Sequence, residues 1–93
     1  MDEQLRRSIE RAAAVLRELG ASEVYLFGST ARGTLRQGSD VDLAVSGLPP
    51  ALFFRAMSKA ADLLDRPLDL IDLEQDVPFT RYLKEEGELV RVG

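Results

Sequence analysis

Residues 23–45 read EVYLFGSTARGTLRQGSDVDLAV. The first five, Glu23–Phe27, are β-rich and bounded by Ser22 and Gly28, which predicts a strand. Ser29–Leu35 suits a short helix springing directly from that strand, Arg36–Ser39 a loop, and Asp40–Val45 a second strand. Side chains alternate along a strand, so Asp40 and Asp42 share one face, while Val41, Leu43 and Val45 share the other and fit a core. Two neighbouring carboxylates repel, and desolvating either without a partner is costly. Packing therefore gives no reason for the pair. A cation between them does, because acids on one strand face are ready oxygen ligands for Mg²⁺. The competing explanation is a solvated acidic edge, with Asp40 as a turn residue after Ser39.

Outward from this segment the pattern is regular. Upstream, Leu5, Ile9, Ala12, Ala13, Leu16 and Leu19 recur at helical spacing, and Gly20 is placed to end the helix. Downstream, Pro49 and Pro50 suit the start of a second long helix. Its Phe53, Phe54, Met57, Ala60, Ala61 and Leu64 predict a core face, and Asp65-Arg66-Pro67 ends it. LDLIDL, Leu68–Leu73, predicts a third strand, Thr80–Glu86 a shorter helix closed by Gly87, and Glu88–Val92 a last short strand. The whole reads as an α/β (α+β) chain, with a small mixed sheet of three to four strands covered by helices in a single domain spanning 1–93.

The third strand carries two more acids among apolar residues. Asp69 and Asp72 are three apart, so in a regular strand they face opposite ways and only one can join Asp40 and Asp42. Asp69 lies mid-run between Leu68 and Leu70, while Asp72 suits a strand end or a cap. The pattern alone leaves that choice open.

Composition narrows the chemistry. The chain has no cysteine and no histidine. Disulfides, thiol nucleophiles, Ser-His triads and nearly every zinc site are thereby excluded, and any metal is a hard cation held by oxygen. A net charge of −4 argues against a nucleic-acid partner, although arginine supplies ten of the twelve cations and is well suited to phosphate. No apolar run approaches the length that spans a bilayer, and the acidic, charge-broken N-terminus is unlike a signal peptide, so the expectation is a cytoplasmic protein.

The Gly28-Ser29 turn suits phosphate. Glycine lets a ligand approach the backbone, a helix start presents unpaired N–H groups, and Arg32 lies one turn on. Read alone, the commoner explanation is that Ser29 caps a helix and Arg32 is a surface charge. The segment is not a Walker loop, which needs Gly-Lys-Ser/Thr, and GSTARG lacks the middle glycine of a dinucleotide fingerprint. A phosphate element and a cation element on consecutive strands together describe a nucleoside triphosphate with its Mg²⁺.

Gly28-Ser29, ten residues, then Asp40-Val41-Asp42 resembles the signature of the DNA polymerase β-like nucleotidyltransferases, and GSTARG…GSDVDLAV looks like their minimal (MNT) members, antitoxin partners of HEPN-domain toxins. The resemblance covers nearly the whole chain and implies the polymerase β-like core. It places Gly28, Ser29, Arg32 and Ser39 in the nucleotide-binding set, and makes Asp40, Asp42 and Asp69 the catalytic and metal-binding acids, favouring Asp69 over Asp72. Thr30 stands where many relatives carry arginine, which implies a weaker triphosphate contact with the metal site untouched. The implied reaction uses two Mg²⁺ and ATP to move AMP to a hydroxyl, the likeliest acceptor being a tyrosine of a HEPN toxin. Little of the chain is left for an acceptor pocket, so that surface is expected from another chain. A homo-oligomer is compatible with the sequence. The alternatives are an antitoxin that only masks its partner, a nucleotidyltransferase for a small molecule or an RNA end, and a plain structural domain.

Overall fold

The computed structural model describes residues 1–36 and 38–92. Asp2 starts the first helix, α1 (Glu3–Glu18), by accepting the Leu5 N–H at 2.9 Å, which satisfies one of the amides that a helix start leaves unpaired. Its buried stripe is Leu5, Ile9, Ala12, Ala13 and Leu16, as the spacing predicts. The chain then runs through β1 (Glu23–Leu26), α2 (Gly28–Arg32), β2 (Val41–Ser46), a 3₁₀ turn (Pro50–Leu52), α3 (Phe53–Asp62), β3 (Leu68–Asp72), α4 (Pro78–Glu86) and β4 (Val90–Arg91).

The four strands form one mixed sheet in the order β3-β2-β1-β4, within the three to four strands expected. β1 is antiparallel to both β2 and β4, and β2 is parallel to β3. Val24, Val41, Leu43, Val45 and Leu70 point to one face, where α1 and α3 pack on them. Full burial of a side chain such as Leu16 or Leu43 contributes about 1.5–3 kcal/mol. On the opposite face Phe27, Ala44 and Leu73 meet Leu83 of α4. Asp42 and Asp69 alternate onto this second face, beyond the part that α4 covers.

Two expectations need correction. The second strand begins at Val41, so Asp40 stands just outside it, at the end of a loop that the ladder does not hold. The inward face of α3 is also rotated from the one predicted. Ala56 and Ala60 are fully buried and Phe53 and Met57 partly so, whereas Phe54 is 74% exposed. Small alanines on α3 share the core with Ala12 and Ala13 of α1, and this close helix–helix packing turns the bulkier ring at 54 outward. Of the predicted loop Arg36–Ser39, Gln37 lies outside the described residues. Among the described residues, no helix is long and apolar enough to cross a membrane.

Candidate active site

β1 turns into α2 within two residues, and Gly28 makes the turn at φ +58°. A Cβ there would lie 2.8 Å from Oδ2 of Asp42. An L side chain is disfavoured at this φ and would also push the Asp42 carboxylate aside, so both favour glycine. The first helical bond runs from the Ala31 N–H to the Phe27 carbonyl at 3.2 Å. The N–H groups of Gly28, Ser29 and Thr30 precede it and have no partner within the helix.

The acids are brought together by the sheet register. In the parallel pairing of β2 with β3, Asp42 stands beside Asp69, so their side chains leave the same face. Asp42 is partly buried, while Asp69 and Asp40 are exposed. Burial raises the Asp42 carboxyl above its usual range, the charges of Asp69 and then Asp40 add to the rise, and Arg32 opposes it. Asp72 stands opposite Val45 at the far end of β3, where its Oδ1 accepts the Glu74 N–H at 2.9 Å. It caps the strand exit, the role its position suggested.

Among the described residues, no three acids are gathered closely enough to cage a metal ion. Asp69 and Asp40 act on Asp42 through charge rather than by meeting it at a point, as expected of like charges free to turn toward water. The donor set nevertheless fits a hard cation. It is made of oxygens alone, and its least exposed carboxylate feels the charge of two others.

The remaining predicted residues divide. Arg32 ends α2, near enough to Asp42 to lower its pKa, and its Nη1 lies 3.4 Å from Oε2 of Glu88. Ser39 is engaged in its own loop. Its hydroxyl accepts the Arg36 N–H at 3.2 Å, and its N–H donates to the Arg36 carbonyl at 3.0 Å. Arg66, just before β3, donates to the carbonyls of Arg36 (3.4 Å) and Ser39 (3.3 Å), tying the approach to Asp40 onto the third strand.

Thr30 makes a contact that the resemblance does not imply. It is 1% exposed, and its Oγ1 accepts the Asp42 N–H at 2.9 Å. Its side chain points into the protein and touches the acid strand. Nothing in GSTARG distinguishes an inward hydroxyl from a solvated one.

The family model described as polymerase beta, nucleotidyltransferase, matches residues 10–91. No curated protein matches the chain in sequence. Among solved structures, a protein described as a minimal nucleotidyltransferase is 28% identical at a TM-score of 0.77, covering 100% of this chain and 96% of its own. A toxin–antitoxin complex crystallised with AMP-PNP is 26% identical at a TM-score of 0.69, covering 92% of this chain and 70% of the matched one. An MNT antitoxin complex with a tri-AMPylated HEPN toxin from Shewanella oneidensis, 22% identical at a TM-score of 0.65 over 94% of this chain and 70% of the other, shares the fold.

Proposed function

This chain belongs to the polymerase beta nucleotidyltransferase family, and on that premise we propose that it moves AMP from ATP to a hydroxyl of a HEPN-domain toxin, acting as that toxin's antitoxin. The observation that carries the reading is the side-by-side placement of Asp42 and Asp69, with the Gly28 turn packed against the Asp42 carboxylate. The likeness to a toxin–antitoxin complex holding an ATP analogue supports both the donor and the partner class.

The chain's own groups divide the work. The amides of Gly28 and Ser29 donate to the triphosphate, and Arg32 adds a positive charge beside it. Asp40, Asp42 and Asp69 would hold Mg²⁺, which when bound neutralises the acids and polarises the phosphate as a Lewis acid. Asp69, the more exposed of the strand pair, takes the proton of the acceptor hydroxyl. The hydroxyl oxygen forms a bond to the α-phosphorus, the bond from that phosphorus to its bridging oxygen breaks, and pyrophosphate leaves.

The test is incubation of the chain with ATP, Mg²⁺ and a HEPN protein encoded beside it, followed by the intact mass of that protein. The reading expects a gain of whole adenylyl groups, lost with Asp42→Asn. No gain with the parent chain overturns it, and neutralisation of the toxin by Asp42→Asn assigns the antitoxin effect to binding alone.

A further inference from the structure

Continued one residue past the pairing of Leu26 with Leu43, the antiparallel register of β1 and β2 sets Phe27 opposite Asp42. Half of that pair is made in the usual way, with the Phe27 N–H donating to the Asp42 carbonyl at 3.2 Å. A hydrogen-bonded antiparallel pair exchanges two such bonds. The second would run from the Asp42 N–H to the Phe27 carbonyl, but that carbonyl accepts from Ala31, because α2 starts at once. The abrupt turn that starts α2 thus leaves the amide at the centre of the acid site without its ladder partner. Thr30 Oγ1 replaces it, accepting the Asp42 N–H at 2.9 Å from a fully buried position on the first turn of α2.

We propose that Thr30 is a positioning residue for the nucleotidyl-transfer site, a surrogate ladder carbonyl that locks the backbone of Asp42 to the helix whose amides face the phosphates. The proposal rests on the functional reading above and adds a residue and a role to it. One hydroxyl couples the two halves of the site, so the Asp42 carboxylate keeps a fixed place relative to Gly28 and Ser29. Valine at position 30 has nearly the shape of threonine but cannot accept, and it leaves the Asp42 N–H orphaned at the end of the ladder. Serine keeps the acceptor.

The test uses the full chain and two readouts. Metal-free amide exchange by NMR reports the anchor, and calorimetric titration with ATP, in Mg²⁺ and in EDTA, reports its use. For Thr30→Val the expectation is that the Asp42 amide exchanges about tenfold faster while that of Ala44 in mid-strand is unchanged. ATP affinity should fall about tenfold in Mg²⁺ and by less than about twofold in EDTA. Thr30→Ser should restore both readouts, and Thr30→Ala, which adds no bulk, should repeat the valine result even if the valine chain folds poorly. Unchanged Asp42 protection, unchanged affinity in Mg²⁺, or a serine variant as impaired as valine would overturn the proposal. So would a loss of protection spread evenly over the sheet, the mark of a merely structural role. If the parent chain binds no ATP in Mg²⁺, the functional reading falls and takes the proposal with it. Parent binding with an unaffected valine variant removes the proposal alone.

Discussion

Gly28→Ala tests the turn on which the candidate site depends. The residue has φ +58°, and an L residue in the left-handed region costs about 1–2 kcal/mol. The new Cβ would lie 2.8 Å from Oδ2 of Asp42, so the carboxylate must also rotate off its preferred angle, at about 0.5–1.5 kcal/mol. The sum is about 1.5–3.5 kcal/mol, a sizeable share of the roughly 5–14 kcal/mol typical of a chain this long. It corresponds to a fall in Tm of about 6–28 °C. Urea unfolding followed by far-UV circular dichroism, with an unchanged denaturant slope, would measure it. The two contributions separate in a double-mutant cycle. In an Asp42→Ala background the collision is gone, and Gly28→Ala should cost only the backbone part. A cost identical in both backgrounds would refute the close approach of Gly28 to Asp42, and no cost in either would refute the left-handed turn.

Other outcomes follow from burial and charge. A carboxyl whose pKa is raised on folding binds its proton more tightly in the native state, so it costs stability once ionised. For Asp42 that cost is complete above the raised pKa and absent below the ordinary 3.8. Asp42→Asn should therefore be more stable than the parent at neutral pH, with the advantage closing as pH falls through the raised pKa, and parallel urea titrations at neutral and acid pH will show whether it does. Leu16→Ala, at a fully buried site, should cost about 2–5 kcal/mol, whereas Phe54→Ala, 74% exposed, should cost no more than about 0.5 kcal/mol in the same melts.

The sequence revealed most where one physical rule governs a segment. In α1 a single stripe of apolar residues meets a single core, so helical periodicity identified every buried position from Leu5 to Leu16. Alternation likewise separated Val41, Leu43 and Val45 from Asp42. α3 was harder because side-chain size and burial ran in opposite directions. The predicted face rightly included Ala60 but gave weight to Phe54, whereas close packing favoured Ala56 inside. Strand register was not readable from either strand alone. The mid-run position of Asp69 weakly, and the family resemblance more firmly, favoured it over Asp72, and only pairing β2 with β3 shows Asp69 beside Asp42 and Asp72 capping the strand exit. The role of Thr30 depends on which carbonyl a neighbouring helix has already taken, a fact of three-dimensional hydrogen bonding with no trace in composition or spacing.

The most direct measurement is a Mn²⁺ titration of the isotope-labelled chain, since Mn²⁺ takes the same hard oxygen ligands as Mg²⁺ and broadens nearby amide signals. The account predicts that Gly28, Ser29, Asp42 and Asp69 broaden first, at lower Mn²⁺ when ATP is present, and that Asp42→Asn abolishes the effect. Broadening that starts instead around Asp72 and Glu74, or that persists in full in Asp42→Asn, would contradict it.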